Sequence, residues 1–440
     1  MQPQANTNFQ GVKPTRKRYG ILLILFINVV INYMDRANIA LAAPLLGKDL
    51  NLSSVEMGLI FSAFGWTYAF LQVPGGWLVD HIKSRILYFI CLSLWSVATI
   101  LQGFVNGFNA LFGLRLTLGV FEAPAYPINT RVVTSWFPEQ ERASAIGMYT
   151  SGQFVGLAFL TPILMYIQNT FGWREMLIIT GLVGLVWSFV WYFVYREPKQ
   201  SGANEAELEH IRSGGGLVDW EDSRTSKEEK VPFKWSHLKL ILGNRDLLGV
   251  FIGYFCLTGT LWFFLTWFPT YLVKYRHIEF IKVGYLASLP FMAAFVGVIS
   301  SGFLSDRLVK RGVSVGTARK VPMIGGLLLS MTIIGANYVE DTNLIIACMA
   351  VAFFGNGLAS IAWIFVSSIA PKNLLGLTGG IFNFIGNLQS ILVPIFIGFL
   401  IRGGDFSPAL IFVAALALTG ALSFIFIVRK VERIQMPEEA

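Results

Sequence analysis

Hydrophobic positions in this chain form long, nearly unbroken runs separated by short polar turns. The runs fall at about 19–43, 57–79, 86–107, 109–133, 144–168 and 174–195, then at 247–273, 283–304, 321–339, 343–369, 374–401 and 407–428. A bilayer core is ~30 Å thick and takes about 20 apolar residues per helix. Backbone groups find no water there, so only helices or a closed barrel can cross. Barrel strands alternate every second residue over about 10 residues. These runs are uniformly apolar and about twice that long, so the pattern predicts an all-α integral membrane protein with twelve transmembrane helices.

Polar positions divide the chain. Of its 60 Lys, Arg, Asp and Glu residues, 18 lie between Arg196 and Arg245. That segment predicts a linker over 196–246, with a short amphipathic helix near Ala203–Ile211, between six-helix units at 1–195 and 247–440. The units repeat each other. Gly76-x-x-x-Asp80, followed by Lys83 and Arg85, ends the second run; Gly302-x-x-x-Asp306, followed by Arg307, Lys310 and Arg311, ends the eighth. Two parallel six-helix repeats are a secondary-transporter layout with the site between halves. Glycine permits close helix approach, and the acid can pair with nearby bases. The repeated motif therefore reads as a conformational lock that forms in one state and breaks in another.

Composition agrees with the pattern: 54% of residues are hydrophobic and 14% charged, against about 25% charged in soluble domains. A soluble enzyme, a disordered chain and a coiled coil are excluded. Basic residues in short loops set orientation. Lys83, Arg85, Arg142, Arg307, Lys310, Arg311, Arg319, Lys320, Lys372, Arg429, Lys430 and Arg433 gather on the side that holds both termini, so both termini are expected to be cytoplasmic. The net charge of +8 is then topological, and no nucleic-acid partner is expected. The run after Arg18 is too long for a cleaved signal and reads as a retained first helix. Cys91, Cys256 and Cys348 all lie in apolar runs, which argues against disulfides and zinc. The chain has no Walker lysine loop, HExxH or CxxC, and no histidine in a helix core. No enzymatic activity, metal or cofactor is expected, and the chain is expected to act as a monomer.

Four charged residues stand inside the runs: Asp35 and Arg36 on the first, Arg115 and Glu122 on the fourth. Each costs at least ~2.5–3.5 kcal/mol at mid-bilayer, and their charges cancel, so they are expected to pair. At 1.5 Å per residue, Asp35, Arg36 and Arg115 can share one depth, with Glu122 two turns deeper on nearly the face of Arg115. This predicts Asp35 in contact with the arginines and Glu122 apart from them. Guanidinium binds carboxylate through paired hydrogen bonds, and a buried acid can change protonation with its surroundings. The set reads as a site that couples an organic anion to a proton. Polar residues on the tenth and eleventh runs, including Asn356, Ser360, Trp363, Asn383, Asn387 and Gln389, could wall a polyhydroxylated molecule. Pro124 and Pro127 should kink the fourth helix.

The repeated Gly76–Arg85 motif resembles the major facilitator superfamily. Tyr33-Met-Asp35-Arg36-Ala-Asn38, Phe121-Glu122-Ala-Pro124, the run from Ser135 through Pro138, Arg142 and Gln153 to Pro162, Trp262–Pro269, Phe353–Gly357 and Gly376–Asn383 resemble its anion:cation symporter family along nearly the whole chain. The resemblance implies a bacterial inner-membrane symporter that imports a sugar-acid anion, such as D-galactonate or a related hexonate, with protons; the alternative is a facilitator or exchanger for another organic anion, such as a hexuronate, hexarate or aromatic acid. It implies Asp35 and Glu122 as proton-coupling acids. Of Arg36 and Arg115, one would hold the sugar carboxylate and the other organise the acids. Tyr33, Tyr68, Gln153, Ser360, Trp363 and Asn383 match positions lining the sugar-acid site, and Gly76, Asp80, Arg85, Arg142, Gly302 and Asp306 match the lock. Ala362 departs from the pattern, standing where the galactonate carriers have threonine, and Asn387-Leu-Gln389 replaces a glycine-rich stretch.

Overall fold

The computed structural model describes residues 13–218, 235–371 and 374–435. Lys372 and linker residues 219–234 lie outside the described residues. Regular structure among the described residues is entirely helical, and helices fall on all twelve expected positions. In chain order they are Lys17–Asp49, Ser54–His81, Ser84–Gln102, Phe108–Glu122 with Ala125–Trp136, Glu139–Phe171 and Trp173–Val194. After the linker come Arg245–Thr266, Phe280–Lys310, Val315–Ser330, Thr342–Leu358 with Ala362–Ile369, Leu375–Asn387 with Gln389–Leu400, and Ser407–Leu422. Below, they are the first to twelfth spans.

Ten of these helical stretches are long and apolar enough to cross a bilayer. The second span, Ser54–His81, is diluted by Gly, Trp, Tyr, Gln and Pro. The fourth is broken at Ala123 and Pro124 into helices of 15 and 12 residues. The expected kink is thus a break, because proline cannot donate the helical hydrogen bond.

Local chemistry sets the helix starts. The second span opens on a reciprocal capping box: the Glu56 amide donates to Ser53 Oγ at 3.2 Å, and the Ser53 amide donates to Glu56 Oε2 at 2.8 Å. Asn244 caps the seventh span through the Leu247 amide, and Asp341 caps the tenth through those of Asn343 and Leu344. The expected linker helix spans Glu205–Ser213 and buries Glu207, Leu208 and Ile211.

Packing follows the repeat. The first span lies along the fifth and sixth, the third along the fourth and sixth, and the second along the fourth; later in the chain the tenth lies along the eighth and ninth. The early and late spans meet chiefly where the fifth crosses the eighth and the second crosses the eleventh. Glycine makes the second crossing possible. A Cβ on Gly58 would stand 2.6 Å from the Pro394 carbonyl oxygen, and one on Gly65 would strike Ser390. This contact lies at the end opposite the termini. Toward the termini, a Cβ on Gly76, Gly147, Gly302, Gly376 or Gly380 would meet nothing within 4 Å.

Candidate functional site

Asp35, Arg36, Arg115 and Glu122 are all buried, none more than 5% exposed. Arg36 Nε donates to Glu122 Oε2 at 2.9 Å. Its guanidinium lies 5.0, 4.9 and 4.6 Å from the ring centroids of Tyr33, Phe64 and Tyr68. Phe64 and Tyr68, one turn apart on the second span, stack at 4.9 Å. Three aromatic walls thus hold one cation, an arrangement favoured by the ring quadrupoles. Phe64 also lies 5.6 Å from the Arg115 guanidinium and 6.1 Å from the ring of Trp262 on the seventh span. The arginines therefore sit against the junction of early and late spans.

Asp35 faces the other way. Its Oδ2 accepts from Trp95 Nε1 at 3.1 Å and its Oδ1 accepts from Asn38 Nδ2 at 3.5 Å; Asn38 also donates to Thr180 Oγ1 at 3.2 Å. The pairing expected from the sequence is therefore reversed: Glu122 pairs with Arg36, while Asp35 makes an ion pair with neither arginine among the described residues and feels Arg115 only at longer range. Successive helical residues point about 100° apart. Arg36 turns toward the second and fourth spans, which carries Asp35 toward the third and sixth. The two-turn difference in depth is bridged by the length of the arginine and glutamate side chains. Arg115 makes no ion pair among the described residues.

Arg36 Nη2 and Arg115 Nε and Nη1 have no hydrogen-bond partner among the described residues, and Asn32 lies in hydrogen-bonding reach of Glu122 without a well-aligned bond. Buried polar groups are nearly always partnered, so this cluster has unused capacity for a carboxylate and hydroxyls. On the late spans, Asn383 Nδ2 donates to Gln72 Oε1 at 2.5 Å across the junction, and Asn387 Nδ2 donates to the Asn383 carbonyl at 2.8 Å. Trp363 is 49% exposed and meets Phe382 edge-on at 4.9 Å. Ser360 is exposed in the break between the two halves of the tenth span. The structure thus gathers Tyr33, Arg36, Tyr68 and Glu122. Gln153, Ser360 and Trp363 make no hydrogen bond to that group among the described residues.

Sequence reasoning missed Trp95, Asn32, Gln72 and Thr180 as partners of the site. Asn32 and Asn38 carried a readable signal: they stand four residues before Arg36 and three after Asp35, one helical turn away.

The lock candidates Arg85 and Arg142 make contacts within the early spans and to the linker. Arg85 Nε donates to the Tyr192 carbonyl at 2.7 Å and stacks on that ring. Arg142 donates to the Phe137 and Thr134 carbonyls and to Gly215 of the linker. Asp80 and Asp306 are exposed at their helix ends, and Asp306 makes no ion pair among the described residues.

Broken helices around a buried charged cluster, in two packed groups of spans, define a multi-pass membrane transporter, not an enzyme. Residues 25–394 match the Major Facilitator Superfamily, and the chain belongs to that family. It is 52% identical over 425 residues to the D-galactonate transporter of Escherichia coli O6:H1, covering 96% of this chain and 98% of that one. It is 42% identical over 434 residues to the probable galactarate/D-glucarate transporter GudP of Escherichia coli K12, with 96% of each chain covered. The inward open conformation of the xylose transporter XylE from E. coli matches with TM-score 0.69 at 13% identity, covering 94% of this chain and 96% of that one, a likeness of fold.

Proposed function

We propose that this protein imports a sugar-acid anion, D-galactonate or a related hexonate, together with protons across a bacterial inner membrane, with both termini cytoplasmic. The reading rests on one observation: the fully buried Arg36–Glu122 pair inside the aromatic cage. A substrate carboxylate reaching Arg36 would leave two anions sharing one cation in a low-dielectric site, unless Glu122 takes up a proton. Protonation frees the guanidinium fork for the substrate, and substrate departure lets Glu122 release its proton and re-form the pair. Solute binding and proton loading then require each other, which is the condition for symport. Arg115, with two unpartnered nitrogens nearby, organises the acids and strengthens the field on the carboxylate. Tyr33, Tyr68, Gln153, Ser360, Trp363 and Asn383 supply hydroxyl, amide and ring contacts to the sugar chain.

Transport proceeds by alternating access, with units 1–195 and 247–440 rocking as bodies about the buried site and 196–246 joining them. The tight crossing at Gly58 and Gly65, with open space at Gly76 and Gly302, supports a state closed opposite the termini. Binding drives the switch only because the two states hold the solute unequally. The 52% identity to a D-galactonate transporter favours a hexonate over the hexarates of the 42% relative. The test is uptake of labelled D-galactonate, D-glucarate and D-glucuronate into proteoliposomes with an acid exterior. Concentrative D-galactonate uptake that a protonophore abolishes is expected; uptake indifferent to the protonophore would refute proton coupling.

A further inference from the structure

Beyond the arginine site, the fourth span carries a buried polar stripe. Arg115, Glu122, Asn129 and Trp136 follow one another at seven-residue intervals, and all are at most 2% exposed. Seven residues advance a helix by about 10.5 Å and turn it only about 20° off a whole number of turns. Ala123 and Pro124 keep right-handed helical dihedrals through the break, so the face continues past it. The stripe runs from the charged cluster toward the end that holds the termini.

Other spans add to it. Tyr88 of the third span is 1% exposed and lies beside Asn129, within electrostatic reach of Glu122. Its ring packs 4.7 Å from Trp191, which stacks on Tyr195 at 4.3 Å. The Tyr195 hydroxyl sits beside Trp136, with Glu197 and Arg131 next to it. Tyr88 lies in hydrogen-bonding reach of Asn129, and Tyr195 of Trp136 and Glu197, but Tyr88 Oη, Asn129 Oδ1, Trp136 Nε1 and Tyr195 Oη make no well-aligned bond. The column is thus polar, buried and incompletely satisfied. These atoms occur in adjacent pairs, and a buried water needs two to four polar partners. No part of this column touches Ser360, Trp363 or Asn383 among the described residues.

We propose that this column is a hydrated proton path, separate from the solute's route, that carries the Glu122 proton toward the terminus-bearing face. The inference rests on the proton-coupling role of Glu122 given above. The Glu122 carboxyl gives its proton to water hydrogen-bonded at Tyr88 and Asn129. Successive transfers along water pass a proton by Trp136 and Tyr195 toward half-buried Glu197 at the start of the linker, and Glu122 returns to its pair with Arg36. Neither tyrosine is ionised; the phenols donate and accept in place.

The test uses full-length protein in proteoliposomes with labelled D-galactonate, comparing Asn129→Leu, Tyr88→Phe and Glu122→Gln. Two rates are read: accumulation driven by a pH gradient, and counterflow exchange at equal pH, which needs no net proton movement. Asn129→Leu is expected to slow accumulation about tenfold with counterflow unchanged, and Tyr88→Phe to do the same more weakly. Wild-type accumulation in both variants, with Glu122→Gln inactive in accumulation, would overturn the path and leave the coupling role standing. Equal losses of accumulation and counterflow would also overturn it, since they report packing. Normal accumulation by Glu122→Gln would remove the coupling role, and the path with it.

Discussion

Replacing Glu122 by glutamine tests the competition at Arg36 most directly. The amide keeps the size of the carboxyl and can still accept from Arg36 Nε, whose bond to Oε2 is 2.9 Å in the native chain. What it loses is the charge. Hydrogen bonds to charged groups contribute about 1.5–3 kcal/mol and neutral ones about 0.5–1.5 kcal/mol, so the hold on Arg36 weakens by about 1–1.5 kcal/mol. A substrate carboxylate no longer has to displace an anion, and its affinity at alkaline pH should rise about tenfold. The native protein should lose affinity about tenfold per pH unit over the range where one proton must be taken up per solute bound; the variant should bind with a flat pH profile. Having no proton to release, it should exchange solute but not concentrate it. Intrinsic tryptophan fluorescence titrated with D-galactonate from pH 5 to 9 gives the binding, and proteoliposome uptake gives the accumulation. A pH slope equal to the native one, or undiminished accumulation, would refute the competition.

Arg36→Ala should weaken D-galactonate binding by about 2–5 kcal/mol, the range for one partner of a buried charge pair, whereas Ser360→Ala should cost at most about 1.5 kcal/mol; similar small losses in calorimetry would contradict a carboxylate site at Arg36. Gly58→Ala puts a methyl 2.6 Å from the Pro394 carbonyl oxygen, where backbone cannot yield. It should open the end opposite the termini, seen as faster maleimide labelling of a Ser54→Cys reporter; unchanged labelling would discount the crossing as a gate. Glu207 on the linker helix accepts from Thr15 Oγ1, from the amides of Lys17 and Arg18 and from the Arg18 guanidinium. Burial pushes its carboxyl upward, but these bonds outweigh burial and hold it below the ordinary carboxylate range. A depressed native value gives stability present above the unfolded value and lost as pH falls through the native one. Glu207→Ala should therefore lower unfolding stability by about 1.5–3 kcal/mol at neutral pH, and by less in acid. A loss in thermal melts that does not shrink below about pH 4 would show that the charge is irrelevant.

The helical class, the span positions and the four buried charges were legible because burying polar backbone and charge in hydrocarbon is costly enough to mark the sequence. The pairing was not. Spacing along a helix gives depth, and depth alone put Asp35 level with both arginines. The direction of each side chain around the axis depends on which neighbours surround the helix. Asp35 and Arg36, adjacent in sequence, are sent to opposite walls, one to Trp95 and one to Glu122. Trp95 was invisible for a related reason: a tryptophan in an apolar run reads as bulk, and its single polar atom matters only where an acid meets it. Gln72 pairs with Asn383 across 311 positions, a contact that no local pattern carries.

The two acids consequently do different work. Under the proposed coupling, Glu122 shares its cation with the solute, so its charge changes whenever the solute binds or leaves. Asp35 is held by Trp95 and Asn38, neutral donors that stay in place whatever occupies Arg36. Indole N–H donates only, and it favours a carboxylate over a protonated acid. Asp35 therefore responds to the solute only through the field of the neighbouring charges. In Trp95→Phe the acid keeps its position on the first span but loses the indole donor that holds its carboxylate. Transport should then keep its affinity and shift its pH optimum upward, the reverse of Glu122→Gln, where affinity changes and the pH dependence vanishes. A pH profile for Trp95→Phe that overlays the native one would mean that Asp35 does not titrate during transport, and would leave Glu122 alone to carry the proton.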